Sequence, residues 1–256
     1  MTTHDKAAAL AALYGSSTIL RLVNVWDAVS ARTVAALPET TAIATAGHSI
    51  AASHGFADGA MPFELVITSL AEIVAATELP VTADLDDGYA DPGETVRRAI
   101  GVGAVGANVE DRLRPIDESV DRVRQIVAAA RSEGVDFQLN ARTDAIARGG
   151  DRPLEQSIAD AIERGRAYLA EGAAAVFVPG ILDREATERL VAGLGVGVLS
   201  VIGIPGALTA AEYEQLGVTR ISYGPLPQRV ALRALRDLAS ELYADGVIPS
   251  DTPALN

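Results

Sequence analysis

Mostly apolar runs of four to seven residues alternate with longer helix-like stretches eight times along this chain, and nothing else in it constrains the fold as strongly. The runs read as strands over 19–25, 42–45, 81–85, 106–109, 137–141, 174–178, 196–201 and 219–223. The stretches between and after them read as helices over 28–37, 62–77, 92–101, 116–133, 153–171, 183–192, 209–215 and 227–244, with an extra helix near 5–13. The boundaries carry their own chemistry. Pro62, Pro92 and Pro153 stand where a first-turn proline fits. Asp183 and Thr209 can cap helix starts. Gly103, Gly134, Gly172 and Gly217 follow helices, where a left-handed residue closes the last turn. Strands alternating with helices build a parallel sheet. Eight such units in 256 residues close it into a barrel, a fold of about 250 residues. The expectation is one α/β domain over 1–256, a single (βα)8 TIM-type barrel with an extra N-terminal helix.

Active sites of such barrels lie at the C-terminal ends of the strands. Polar residues collect there on five successive strands: Asn24, Trp26 and Asp27; Thr45, Ala46, Gly47 and His48; Asp84 and Asp86; Asn108 and Glu110; Asn140 and Arg142. Strand side chains alternate faces, so Asp84 and Asp86 point the same way. Like charges on one buried face repel unless something neutralises them. A hard divalent cation, Mg2+ first, does so through oxygen and water ligands, and Glu110 on the next strand can add a carboxylate. Asp86-Asp87-Gly88 is also good turn chemistry, so a solvated loop reads the same.

The formal net charge of −13 argues against unassisted binding to nucleic acid or anionic membranes. Any anionic substrate then needs a local cation, and Arg142 is placed to be one. With no cysteine, disulfides, thiolate metal sites and thiol catalysis are excluded. No run of about 18 apolar residues reads as a membrane span. The first 14 residues lack the basic start and long apolar core of a secretion signal, so a cytoplasmic location is expected.

The remaining candidates each have a structural alternative. His48 and His54 can act as acid or base, or simply face solvent. Trp26 can wall a pocket or pack, and Asp27 can cap the helix over 28–37. Tyr89 and Tyr223 can donate to an oxyanion or pack. Arg112 and Arg114 can touch substrate or lie in a solvated charge run. Asp111 and Asp144 can form internal salt bridges or caps. The 203–206 segment is too weak a signal for a phosphate cradle.

Taken in order, Asn24-Val25-Trp26-Asp27-Ala28-Val29-Ser30-Ala31-Arg32, Thr45-Ala46-Gly47, Ala83-Asp84-Leu85-Asp86-Asp87-Gly88-Tyr89, Asn108-Val109-Glu110-Asp111 and Ala141-Arg142-Thr143-Asp144-Ala145 resemble the isocitrate lyase/phosphoenolpyruvate mutase superfamily. Glu163-Arg164-Gly165-Arg166-Ala167-Tyr168 and the helix holding Arg229 fit too, so the resemblance covers nearly the whole chain. It implies a Mg2+-dependent enzyme, with Mn2+ as a possible substitute, acting on small anionic 2-oxo acids or their enolates. Asp84 would contact the metal directly or through one water. Asp86, Glu110 and Asp58 would hold metal-bound waters. Backbone amides around Thr45, Ala46, Gly47 and His48 would bind the substrate carboxylate, with Trp26 and Asp27 beside it, and Arg142 would bind a second anionic group. Arg142, Asp58 and Glu110 are the residues expected to serve catalysis.

The chain departs from its relatives after the strand-four Glu-Asp. The thiol-bearing loop of isocitrate and methylisocitrate lyases is replaced by Arg112-Leu113-Arg114-Pro115-Ile116-Asp117-Glu118-Ser119. The mutase histidine at the end of strand six is replaced by Phe177-Val178-Pro179-Gly180. The branch that remains holds 2-oxo acid decarboxylases and related lyases. The expectation is carbon–carbon cleavage beside a 2-oxo acid through a metal-stabilised enolate, with an oxaloacetate-like substrate. The alternatives are a phosphoenolpyruvate mutase or phosphonopyruvate hydrolase acting on a P–C bond, and a non-catalytic metabolite-binding barrel. The family also implies a homo-oligomer, dimer or tetramer, and the apolar helix over 230–242 would permit exchange of that helix between copies.

Overall fold

The computed structural model describes residues 1–253; the last three positions of the expected domain lie outside the described residues. Its elements run α1 (Thr3–Tyr14), β1 (Leu20–Leu22), β2 (Asn24–Val25), α2 (Ala28–Ala35), β3 (Ile43–Thr45), α3 (Gly47–Ser53), α4 (Phe63–Ala75), β4 (Val81–Asp84), α5 (Pro92–Gly101), β5 (Gly106–Glu110), α6 (Ile116–Ser132), β6 (Gln138–Arg142), α7 (Leu154–Ala170), β7 (Ala175–Phe177), α8 (Arg184–Leu194), β8 (Leu199–Ile202), α9 (Ala210–Gln215), β9 (Arg220–Ser222) and α10 (Leu226–Tyr243). The nine strands pair in parallel in the order β1-β9-β8-β7-β6-β5-β4-β3-β2. β1 and β2 are the two halves of the expected first strand, parted at Val23. One half pairs with β9 and the other with β3, so consecutive pieces of chain stand at the two sheet ends and the barrel closes.

The turn chemistry explains most boundaries. Gly103, Gly134, Gly172 and Gly217 sit at φ of +97°, +69°, +103° and +88°, the left-handed closure expected of them. Asp183 and Thr209 cap α8 and α9. Pro92 is at the start of α5, but Pro62 and Pro153 are extended cap residues just ahead of their helices. α3 has no counterpart among the expected elements. It is seven residues long, begins on a glycine and has no side-chain cap, so its sequence carries no start signal. β8 starts three residues later than expected, because Gly195 and Gly197 turn the chain at φ of +116° and +79°.

α1 closes the end of the barrel opposite the polar strand ends. Leu10 is fully buried against the start of β5, where a Cβ on Gly106 would lie 2.9 Å from Leu10 Cδ2 and 2.7 Å from the Gln138 carbonyl. Only glycine admits that approach. The Tyr14 carbonyl accepts from Thr219 Oγ1 at 3.0 Å, and its hydroxyl faces the buried Arg220. Around the barrel wall, Val66, Ile67, Leu70 and Ile73 form the buried stripe of α4. Each fully buried side chain of this size stabilises the fold by about 1.5–3 kcal/mol. α10 differs from the other helices. Gln228 is its one buried residue, and Val230, Leu232 and Leu235 are all more than half exposed. Among the described residues no helix is long and apolar enough to cross a membrane.

Candidate active site

The C-terminal ends of β2 through β9 surround a cleft of about 430 Å³. Its acidic lining comes from Asp84, Asp86, Glu110 and Asp58, and its basic lining from Arg112, Arg142 and Arg148.

β4 ends at Asp84, one residue earlier than the sequence suggested. The Asp84 amide donates to Thr45 Oγ1 at 2.8 Å, and the Gly47 amide donates to Asp84 Oδ2 at 2.9 Å. Asp86 lies beyond the strand at φ +49°. The convergence of the two carboxylates is therefore made by a left-handed turn and not by strand alternation. A Cβ on Gly47 would lie 3.3 Å from both Asp84 Oδ2 and Asp86 Oδ1, which places the two acids around the same point. Tyr89, itself at φ +54°, donates its hydroxyl to Asp86 Oδ2 at 2.9 Å. Positive φ at non-glycine residues costs energy and clusters at functional sites. Burial pushes the Asp84 carboxyl up to about 7, with the neighbouring Asp86 charge adding to it. Burial also raises Asp86, against the lowering effect of the Tyr89 hydrogen bond.

This donor set fits Mg2+. Neither Asp84 nor Asp86 forms an ion pair with a described residue. No group of three His, Cys, Asp or Glu side chains converges closely enough among the described residues to cage a metal. Mg2+ does not need such a cage, since it keeps several waters and takes one or two carboxylates.

Glu110, at the end of β5, is held differently. Its Oε2 lies 2.8 Å from Arg142 Nη1 and its Oε1 3.1 Å from Arg112 Nε. Burial raises its carboxyl, and the Arg142 charge works against that. In this arrangement both oxygens face guanidiniums, which suits Glu110 to a metal-bound water better than to the metal. Arg142, at the end of β6, also places Nε 2.8 Å from the fully buried Asp144 and lies 5.9 Å over the Phe177 ring. Behind them Asp111 faces away from the cleft and is saturated. Its Oδ2 accepts from Tyr168 at 2.7 Å and Arg164 at 3.3 Å, and its Oδ1 from the amides of Leu113 at 2.9 Å and Asp144 at 3.0 Å. That hub holds Arg112 and Leu113 at φ of +50° and +56°, and so presents Arg112 to the cleft.

Of the residues expected in the site, Ala46, His48, Asp58, Asp84, Asp86, Glu110 and Arg142 line the cleft together. His48 Nδ1 lies 3.5 Å from Asp58 Oδ2. Thr45 is buried beneath, with its hydroxyl engaged by Asp84. The Ala46 and Gly47 amides donate to Val25 and Asp84, so neither is free for a substrate carboxylate. Asp27 is corrected to a helix cap: its Oδ1 accepts from the Ser30 amide at 2.6 Å in a reciprocal capping box on α2. Trp26 is half-buried and packs on the core outside the cleft lining. His54 is a structural partner of Ser69 at 3.1 Å. Arg148 was missed. It stands in a loop without periodicity, and its one sequence signal is the spacing of four from Asp144.

A sequence profile of the phosphoenolpyruvate phosphomutase family matches residues 10–243. The chain is 30% identical over 264 residues to an oxaloacetate decarboxylase of Rhodopseudomonas palustris strain TIE-1, covering 97% of this chain and 88% of that one. A crystal structure from Burkholderia cenocepacia J2315, provisionally named a phosphonomutase, superposes with a TM-score of 0.87 at 38% identity, covering 92% of this chain and 99% of the other. Oxaloacetate acetylhydrolase in complex with its product oxalate superposes with a TM-score of 0.84 at 26% identity, covering 98% and 90%.

Proposed function

This chain belongs to the phosphoenolpyruvate phosphomutase family, within the isocitrate lyase/phosphoenolpyruvate mutase superfamily of lyases and mutases, and we propose that it is a Mg2+-dependent lyase cleaving a C–C bond beside a small 2-oxo dicarboxylate such as oxaloacetate. The observation that carries the reading is the pair Asp84 and Asp86, half-buried and without an ion pair among the described residues, in the same cleft as Arg142. Asp84 and Asp86 would hold Mg2+, or Mn2+ in its place, and Asp58 and Glu110 would hold its waters. When bound, the cation supplies Lewis-acid stabilisation to the enolate that bond cleavage creates. Arg142 binds the carboxylate remote from the cation, its fork already oriented by Asp144 and Glu110. Without a cysteine, the proton that quenches the enolate comes from a non-thiol group or from water.

A second reading, a P–C bond enzyme, is supported by the likeness to the Burkholderia structure and by three arginines suited to phosphoryl oxygens. A product screen with oxaloacetate, 2-methylisocitrate and phosphonopyruvate separates the two. The lyase reading expects Mg2+-dependent consumption of oxaloacetate without phosphate release from phosphonopyruvate. Full activity in excess chelator, with metal content checked, removes the metal from the reading. Turnover of phosphonopyruvate alone replaces the lyase with the second reading.

The site would also work within a homo-oligomer. The exposed Leu232 and Leu235 of α10, about one turn apart, support that proposal, since an apolar helix face this bare ordinarily finds a partner. Sedimentation of the full chain and of Leu235→Glu tests it: a larger species lost in the variant supports α10 as the contact, and a monomer in both removes it.

A further inference from the structure

Two cleft cations are left unused by the proposed mechanism: Arg112, tied to Glu110 at 3.1 Å and Asp87 at 3.4 Å, and Arg148. Arg148 lies six residues beyond Arg142, in the loop between β6 and α7, with about half of its side chain exposed. Its Nε is 2.9 Å from Asp144 Oδ2, while Arg142 Nε is 2.8 Å from Asp144 Oδ1. One fully buried carboxylate thus holds two guanidiniums, each by its Nε edge. Arg142 gives Nη1 to Glu110 at 2.8 Å. Arg148 Nη2 comes only within 4.0 Å of Glu110 Oε1, beyond hydrogen-bond reach. Its outer donors therefore face the cleft oriented and unengaged. The charge of the lining points the same way. Four carboxylates and three guanidiniums leave a single net negative charge, which a divalent cation turns into a single positive one.

We infer that Arg148 is a second, specificity-determining cation that grips the far carboxylate of the substrate together with Arg142, and that Asp144 is the residue positioning the two. The inference rests on the dicarboxylate reading above and names what selects that class. A carboxylate presents two coplanar oxygens, and two guanidiniums held side by side can each take one. A 2-oxo acid ending in a methyl group offers neither cation a partner and leaves both desolvated.

The test measures binding. The Mg2+-loaded protein is titrated calorimetrically with oxalate, which has only the metal-binding end, and with 3,3-difluorooxaloacetate, which adds the far carboxylate. Arg148→Ala should weaken difluorooxaloacetate about tenfold, the size of one charge-assisted hydrogen bond, and leave oxalate unchanged. Arg148→Lys should recover part of the loss. Asp144→Asn should move the same ratio in the same direction, a change that a merely structural role would not produce. If Asp144→Asn does not fold, the exposed Arg148 variants decide alone. An unchanged ratio in Arg148→Ala, or an equal loss for both ligands, overturns the inference while the lyase reading stands. Wild-type protein that binds neither ligand overturns both.

Discussion

Asp84, half-buried, and Asp111, buried, are carboxylates at the C-terminal ends of adjacent strands, and their surroundings are opposite. Asp111 accepts four hydrogen bonds, from Tyr168, Arg164 and the amides of Leu113 and Asp144. Asp84 accepts one, from Gly47, and the Asp86 charge beside it works against its ionisation. A buried charge that is fully bonded holds structure together; a half-buried charge left beside its like is relieved by taking up a proton or by a bound cation. The Glu110-Asp111 pair at the end of β5 splits along the same line, with Glu110 turned into the cleft and Asp111 into the scaffold behind it.

The largest expected effect falls on the scaffold side. Asp111→Ala removes one of the two carboxylates on the buried Arg164, leaves the Tyr168 hydroxyl and two amides without their acceptor and frees the Arg112 loop, so it should cost about 3–5 kcal/mol of stability in urea unfolding. A variant as stable as the parent would break the comparison there. Asp84→Asn should do the reverse. It should lower metal-dependent turnover on the order of a hundredfold or more while leaving the melting temperature equal or higher. A collapse of stability instead would make Asp84 a structural residue.

The same contrast has a pH signature in metal-free protein. Asp84 is pushed to about 7 from the usual 3.8, so between those values the folded state holds a proton that the unfolded chain has released. Stability should therefore fall as pH rises through that window. Asp84→Asn should flatten the fall, and so should saturating Mg2+, which keeps the carboxylates ionised. Urea midpoints at pH 5 and pH 7.5, with and without Mg2+, check this.

Smaller effects sharpen the picture at its edges. Arg142→Lys keeps the charge but loses the planar fork that holds Asp144 and Glu110 and is proposed to take the substrate, and should lower kcat/KM by about 1.5–3 kcal/mol, roughly ten- to a hundredfold. A large drop in melting temperature at near-normal rate would place Arg142 with Asp111 as scaffold. Tyr89→Phe removes one hydrogen bond to Asp86 and should change Mg2+ affinity by about 1 kcal/mol, read by calorimetry, with little effect on stability. No change at all would mean that Tyr89 only packs, as its 4.9 Å approach to Phe63 allows.

The chain by itself determined the barrel, because the switch between short apolar strand runs and longer helical stretches is a local signal repeated at every unit. It also determined which strand ends carry polar groups, and so most of the cleft. Tertiary structure decided what each polar group does there. Asp86 reaches Asp84 through a left-handed turn whose conformation spacing does not reveal. Asp27 became a cap and Trp26 a packing residue, because the last strand position and the first helix position are the same few residues and either role uses the same side chains. Thr45 and Gly47 support Asp84 because β3 and β4 are neighbours in the sheet. α3 had no cap to announce it. Arg148 enters the site only because Asp144, buried by the network around Asp111, has two oxygens and holds an arginine on each. Local periodicity fixes where elements begin and end, whereas the pairing of charges depends on which strand ends the closed barrel brings within hydrogen-bond reach.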